Sequence, residues 1–569
     1  MKFDTFLAPY QGKGRTALLP ALHAVQEALG WIPPEGAKAI AKALDVPLAD
    51  VYGVISFYSM FYDHPTGRNI LRVCKGPVCQ AHGAETLLET LKSALGVEEG
   101  EPTEDGAWMV EGVPCLGLCD AAPAVMVGPE AFGPVQDVQD AEAVLKRKLP
   151  TVKTRVDGPT RRLTAHVLGS RALALEDYRE VGGYQALEKA LTQMTPEAVR
   201  EAVKASGLWG RGGAAFPTGL KWEFAARAPG EPKYVVCNAD ESEPGTFKDR
   251  VLMEGNPHLI IEGLILAGYA VGASRGYIYV RGEYAKAALM LDLALQAARR
   301  AGLLGENILG SGFSFDIELR RGAGAYICGE ETALFESIEG KRGQPRLKPP
   351  YPTTHGLFGK PTAINNVETL ANVPFIVSEG PEAYRKHGTE KSPGTKLFSV
   401  SGDVARPGVY EAPFGITLRE LIEEWAGGVT GGRAAAVLVG GAAGAFVAGD
   451  DLDWPLTLEN GQERGVPVGT GTVMVFNDQR DLRALLVNLA WFFAEESCGK
   501  CFPCQLGTQR QWEILQRLAR GAGRPADLAL LHDIGHTMTD ASICGLGQTA
   551  SMALFSALRL WPDLFTSSA

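Results

Sequence analysis

Apolar residues recur at helical spacing near the start of the chain. Leu19, Leu22, Val25 and Leu29 mark one face and Gly30 offers a stop, so residues 15–62 read as helices. Asn69-Ile-Leu-Arg-Val-Cys74 reads as a short strand, Ala84–Leu95 as a helix and the acidic stretch Val97–Asp105 as a solvated loop. Strand-like Trp108–Val113 and Ala124–Val127 precede a helix-like stretch over Asp140–Lys148, an order that suits a small α/β domain. Residues 150–165 are polar and proline-bearing, as linkers are. From about 176 to 390, strands and helices alternate with glycine-rich turns. Residues 394–475 hold short strands around one helix, Leu418–Ala426. The C-terminal stretch is helical, with Leu482, Leu485, Leu486, Leu489 and Phe493 on one face. The pattern divides the chain into a helical segment (1–67), a small α/β domain (68–150), a linker (151–175), a larger α/β domain (176–393), a short-stranded domain (394–475) and a helical domain (476–569).

Composition narrows the class. With 569 residues, 46% hydrophobic and 21% charged, the chain is long enough for several buried cores, and disorder is excluded. The net charge of -11 argues against nucleic acid or an anionic membrane surface as partner. The opening MKFDTFLAPYQGKGRT lacks the apolar core of a secretion signal. The most apolar stretch, Leu259–Ala273, holds Glu262 and is too short to span a bilayer, so a cytoplasmic protein without membrane insertion is expected. Glycine is enriched, at 68 residues, and concentrated in short loops, which suggests backbone approaching a ligand closely.

Eight of the 10 cysteines fall in two clusters, and without a secretion signal such clustering points to metal before disulfides. Cys74-x4-Cys79 and Cys115-x3-Cys119 are spaced acceptably for zinc. Both pairs nevertheless sit in loops rich in glycine and proline, whose free N–H groups suit an anionic iron–sulfur core. A [2Fe–2S] cluster therefore ranks ahead of zinc and of core thiols, and all three stay open on spacing. Cys498-x2-Cys501-x2-Cys504 presents three corners of a cubane, and Cys544 is the remaining downstream cysteine, so a [4Fe–4S] cluster is expected there. Cys237 and Cys328 have no partner at ligand spacing and read as small buried residues.

Four other segments carry polar chemistry. In Leu208–Trp222 the G-x-G-x-x-A pattern is followed by Pro217 and Gly219, which should interrupt the helix a dinucleotide fingerprint needs. A loop laying N–H groups on a phosphate, with Arg211 and Lys221 adding charge, fits better. Val236–Arg250 packs polar groups directly after a strand, Gly322–Thr332 combines glycines with acids, and Gly359–Thr369 carries an amide pair able to bond a heterocycle's edge.

The first cysteine set, preceded by helices, resembles the thioredoxin-like [2Fe–2S] subunit of respiratory complex I over about residues 5–150. That resemblance implies two cysteines on each iron. The four loops and the second cysteine set resemble the complex I flavoprotein subunit, shared with NAD-reducing hydrogenases and NAD-linked formate dehydrogenases, over about residues 180–560. The fold implied is multidomain α/β: a helical segment plus thioredoxin-like domain, an α/β FMN/NADH-binding domain, a β-grasp-like domain and a C-terminal helical bundle. FMN is implied on Gly210, Arg211, Gly212, Gly213, Lys221, Asn238, Asp240, Glu241, Ser242, Tyr326, Gly329, Asn365, Asn366 and Thr369. NADH is implied beside it, near Phe216, Phe224, Glu330, Lys348 and Tyr351, with Glu243 and Glu331 as catalytic carboxylates. Two positions depart from the family pattern: Ala215 stands where glycine is usual, and Tyr351 where phenylalanine is common. Glu243 is compatible with NAD, because a carboxylate near the ribose would repel a 2′-phosphate.

The resemblance implies a diaphorase moving electrons between NAD(H), FMN and the two clusters, and a hetero-oligomer with a catalytic subunit carrying further iron–sulfur clusters. Complex I keeps the two modules on separate chains, so their fusion points to an NAD-linked soluble enzyme. A molybdenum or tungsten formate dehydrogenase, with this chain as β subunit, ranks first; an NAD-reducing [NiFe] hydrogenase, an electron-bifurcating complex and a complex I-type NADH dehydrogenase follow. From other classes, a zinc-bearing scaffold with vestigial flavin loops and a self-contained NADH dehydrogenase are the competitors. Residues 394–475 suggest only a spacer or docking role.

Overall fold

The computed structural model describes residues 3–167 and 174–565; residues 168–173 of the expected linker, and the outermost residues of the first and last segments, lie outside the described residues. Helices Leu18–Leu29, Pro34–Leu44 and Leu48–Ile55 form the N-terminal segment, and the first ends on Gly30 with φ 83, the left-handed stop glycine supplies. In the first sheet, β1 (Asn69–Cys74), β2 (Trp108–Val113), β3 (Val125–Val127) and β4 (Glu130–Phe132) lie in the order β2-β1-β3-β4. β1 and β2 are parallel, with Cys74 opposite Val113, so both cysteine loops leave the same end of the sheet.

The stretch expected as a linker does more than connect. Its residues Val156–Asp157 form β5, paired with Val409 and Tyr410. Just beyond, the backbone N–H groups of Arg162, Leu163 and Thr164 all donate to the buried carboxylate of Glu411. These backbone groups find their acceptor on a strand far along the chain, which composition alone does not reveal.

The second sheet is all parallel: β6 (Tyr234–Ala239), β7 (Arg275–Val280), β8 (Asp316–Arg321) and β9 (Thr362–Asn366), in the order β8-β7-β6-β9. The order reverses between β6 and β9, with Asn238 opposite Asn366, and such a switch point opens a crevice at the carboxyl ends of the strands. Helix Pro257–Val271 is buried on nearly every face, and Glu262 inside it accepts bonds from Tyr178 Oη, Tyr184 N and Leu187 N. Among the described residues no helix is long and apolar enough to cross a membrane.

A third sheet joins β5 to β10 (Thr395–Gly402), β11 (Gly408–Pro413), β12 (Ala434–Val439), β13 (Ala445–Ala448) and β14 (Thr472–Asn477), in the order β13-β12-β14-β10-β11-β5. Helices Leu482–Glu495, Phe502–Ala519, Asp527–Ala541, Gly545–Thr549 and Met552–Leu560 follow β14.

The interruption expected at Pro217 and Gly219 does not occur: helix Thr218–Arg227 starts directly after Pro217. Proline precedes the first turn, where a missing N–H costs nothing. Gly219 is required by packing, since a Cβ there would come within 2.5 Å of Lys204 Cα on the neighbouring helix.

Candidate functional site

The Gly210–Pro217 loop closes on itself, with Gly210 N donating to Phe216 O at 2.9 Å and Thr218 N to Leu208 O at 2.9 Å. Ala215 within it has φ 47, a left-handed conformation in which a side chain is strained and glycine is not. Lys221 lies in the first turn of the helix that follows, Nζ 3.0 Å from Ile364 O, and burial pushes its pKa down. A glycine loop running into a helix N-terminus with an enclosed lysine is a fit for a phosphate. Arg211 does not join it as the sequence suggested. Its guanidinium is buried against Tyr384 Oη and Pro393 O, over the Phe414 ring, and its backbone N–H goes to Thr369 Oγ1. Arg211 anchors the loop from behind.

The β6–β9 crevice brings the amides together. Asn238 Nδ2 donates to Gly329 O at 2.8 Å, Asn365 Oδ1 accepts from Trp222 Nε1 at 2.8 Å, and Asn366 Nδ2 donates to Asp249 Oδ2 at 2.6 Å. A Cβ on Gly212 would lie 3.0 Å from Asn366 Cβ, so the glycine loop and β9 are already in contact. Burial pushes Asp240 up to about 8, and its Oδ2 accepts from Ser242 Oγ. Glu241 instead caps helix Lys248–Gly255 through Asp249 N and Arg250 N.

Glu243 is pushed up to about 7 by burial, and it accepts from Tyr326 Oη at 2.5 Å and Ala443 N at 2.8 Å. The second of these partners was missed by sequence reasoning. Residues 394–475 suggested only a spacer or docking role; the Gly441–Ala443 turn packs on Glu243, and Gly469 and Thr470 face Gly213. Glu496 was missed as well: burial pushes it up to about 7, and it accepts from Tyr326 N at 2.9 Å. Neither contact has a local signal, because each joins segments well over a hundred residues apart. At the outer rim Lys348 reaches Glu330 at 2.8 Å and Glu331 at 2.9 Å; burial opposes its charge, and the two carboxylates still push it up to about 12. Phe216, Phe224 and Tyr351 are solvent-exposed aromatics in the segments around this cleft.

Both cysteine sets converge. Cys79, Cys74, Cys115 and Cys119 interact in sequence through their sulfurs, and all four are buried. Gly117 N reaches Cys115 Sγ at 3.3 Å, and the backbone of Gly245, from the polar loop after β6, bonds Cys119. Arg281 ties the two loops, donating to Cys115 O and Glu241 O at 2.8 Å each. Cys498, Cys501, Cys504 and Cys544 line one small pocket with Lys500. Burial pushes Cys504 up to about 12 and Cys544 up to about 11, so as thiolate ligands they would need a bound metal to displace their protons into solvent. Four sulfurs in each set, with backbone N–H groups aimed at sulfur in the first, are the donors an iron–sulfur core takes. Cys237 and Cys328 are buried, as expected.

Four family models match the chain: a thioredoxin-like [2Fe-2S] ferredoxin over residues 3–148, the Nuo51 FMN-binding domain over 203–375, an SLBB domain over 397–443 and the NADH-ubiquinone oxidoreductase-F iron-sulfur binding region over 484–568. The chain is 49% identical to a subunit of the NADH-quinone oxidoreductase of Aquifex aeolicus over 396 residues, 69% of this chain and 91% of that protein. It is 36% identical to the alpha subunit of the NAD-reducing hydrogenase HoxS of Cupriavidus necator over 575 residues, 99% of this chain and 94% of that one. A crystal structure of NAD+-reducing [NiFe]-hydrogenase in the H2-reduced state superposes with a TM-score of 0.85 at 34% identity, covering 97% of this chain and 92% of that chain. FMN, NAD(H), one [2Fe–2S] and one [4Fe–4S] cluster are the cofactors these matches and donor sets support. With its [2Fe–2S], FMN-binding, SLBB and [4Fe–4S] parts in one polypeptide, the chain belongs to the family of NADH-oxidising diaphorase subunits of NADH-quinone oxidoreductases and NAD-reducing hydrogenases.

Proposed function

We propose that this chain exchanges electrons, in the cytoplasm, between NAD(H) and a partner subunit carrying further iron–sulfur clusters. The observation that supports it is the glycine loop packed on Asn366 in the Asn238–Asn366 crevice, with Ile327 of the Tyr326 loop lining the pocket of the second cysteine set and Gly245 bonded to Cys119 of the first. Bound FMN supplies the conversion between a hydride's electron pair and single electrons for the clusters.

The chain's own residues bind and orient. Lys221 and the glycine loop take the phosphate; Asn238, Asn365 and Asn366 frame the ring; Phe216, Phe224 and Tyr351 offer aromatic faces to the nucleotide. Glu243, held by Tyr326 and the Gly441–Ala443 turn, and Glu331, held by Lys348, are the carboxylates that would face the nucleotide. Direct hydride transfer asks no acid or base of them; their work is to position. Cys74, Cys79, Cys115 and Cys119 hold the smaller cluster, and Cys498, Cys501, Cys504 and Cys544 the larger.

The partner is a formate-oxidising molybdenum or tungsten subunit in the first reading. A [NiFe] hydrogenase stands level with it, favoured by the full-length likeness to hydrogenase chains. Among the described residues nothing resembles a pterin site, and formate would be oxidised on another subunit. Purifying the native complex and assaying its metals decides: molybdenum or tungsten with formate-dependent NAD reduction supports the first, and nickel without either overturns it. A colourless, zinc-loaded protein would overturn the electron-transfer reading altogether.

A further inference from the structure

We infer that the N-terminal helical segment positions the flavin loop: His23, Ser59 and Met60 hold Gly322–Gly324 so that Tyr326 is set against Glu243. The inference rests on the reading of Tyr326 and Gly329 as flavin-site residues. Three successive carbonyls of the loop are each bonded by this segment. Gly322 O takes His23 Nε2 at 3.1 Å, Ala323 O takes Met60 N at 2.9 Å, and Gly324 O takes Ser59 N at 3.1 Å and Ser59 Oγ at 3.0 Å. The enclosure of His23, with Arg321 nearby, pushes its pKa well below the ordinary value, so the ring is neutral and serves Gly322 as a donor.

The fit leaves no slack. Gly324 has φ 79, and a Cβ on it would overlap Ser59 Oγ and lie 2.9 Å from Met60 Cγ. Anchors flank the contact: Tyr58 Oη bonds Ser337 Oγ at 2.8 Å and Lys341 O at 3.0 Å, and Arg320 Nη1 donates to Thr16 O at 2.7 Å. Tyr326 follows Gly324 by two residues, so a shift of the turn is passed straight to it. Its N–H and hydroxyl then bond Glu496 and Glu243, and Gly329 O accepts from Asn238. A glycine turn left unheld would have to be ordered when ligand binds, which weakens binding. The fused segment supplies that order in advance.

The test uses the full chain with clusters reconstituted, comparing His23→Leu, Ser59→Ala and His23→Gln with the unaltered protein. FMN affinity is read by flavin fluorescence, loop order by amide exchange at residues 325–329, and turnover as separate KM and kcat. His23→Leu is expected to weaken FMN binding about tenfold, speed exchange in the loop by a similar factor, and raise the NADH KM more than it lowers kcat. His23→Gln, which keeps a donor, should recover most of each effect, and the [2Fe–2S] resonance should stay unchanged in all. Should His23→Leu fail to fold, Ser59→Ala still removes one of the two Ser59 bonds to Gly324 O and is expected to cost about two- to threefold. Variants that bind FMN within twofold of the unaltered chain, with unchanged exchange at 325–329, overturn the positioning role alone. An unaltered chain that binds no FMN overturns the flavin reading, and the inference with it.

Discussion

Glu368→Gln probes the buried charges behind the flavin crevice. Glu368 follows Asn365 and Asn366, is fully buried, and accepts Lys248 Nζ at 2.9 Å, Leu397 N at 2.8 Å and Lys396 Nζ. Burial alone would raise its pKa, but Lys248 and Lys396 hold it below the carboxylate range. Lys396 is pushed down to about 7 by burial even with Glu368 beside it. Glutamine keeps the volume and the bond from Leu397 N, yet leaves Lys248 with Asp249 and the charge of Glu241, and Lys396 without its carboxylate partner. Removing one side of a buried pair costs about 3–5 kcal/mol, and the ease with which Lys396 sheds its proton points to the lower end, about 3 kcal/mol. That lowers Tm by about 6–12 °C if the α/β domain carrying Glu368 melts as a cooperative unit of about 150–250 residues. The sign with pH is fixed as well. The folded pKa of Glu368 is depressed, so its contribution is present above the unfolded value and lost as pH falls through the folded one; the variant lacks that acid limb. Calorimetry of the FMN-loaded chain, with amide exchange over Val367–Ala371 and Thr395–Val400, reads both terms. A Tm drop under about 2 °C with unchanged exchange would refute the buried network as drawn.

Three further outcomes are expected. Glu243, raised to about 7 by burial, contributes stability that is present below its unfolded value and lost as pH rises through 7, and above that it places a negative charge beside the anionic nucleotide. The NADH KM should therefore rise from about pH 6 to about pH 8 in the native chain and stay flat in Glu243→Gln; overlapping profiles would assign the titration elsewhere. Cys544→Ser should take iron from about six toward about two per chain while the [2Fe–2S] resonance persists, and retention of all six would move the fourth ligand to another residue. Gly117 has φ 65 and a Cβ there would overlap Tyr284 Oη, so Gly117→Ala should lose the [2Fe–2S] signal yet keep FMN; an intact resonance would show the loop can yield.

Much of the site was legible because its signals are local. Cys498 and Cys501 lead directly into helix Phe502–Ala519, which carries Cys504 in its first turn, and a strand that ends at Cys74 beside a parallel one ending at Val113 leaves little choice of where the cysteine loops go. The strand runs Asn69–Cys74 and Trp108–Val113 were read from short strand-like stretches of sequence. Arg211 was the opposite case. Its charge is plain in the glycine loop, but the side chain turns to Tyr384 and Pro393, residues over 170 positions away. Glu241, another acid in a promising loop, serves the helix beside it through Asp249 N and Arg250 N.

What the sequence determined by itself, then, is the chemistry available: which thiolates can share a cluster, where glycine frees the backbone, and which stretches can be buried, since each depends on residues within a few positions of one another. Only tertiary structure decided how those pieces face each other. The turn at Gly441–Ala443 on Glu243, Glu496 on Tyr326, Gly245 on Cys119 and the N-terminal helices on Gly322–Gly324 are all contacts between distant segments. Their geometry follows from the packing of three sheets and the helices between them, and no local pattern of residues encodes the direction in which a side chain or a carbonyl finally points.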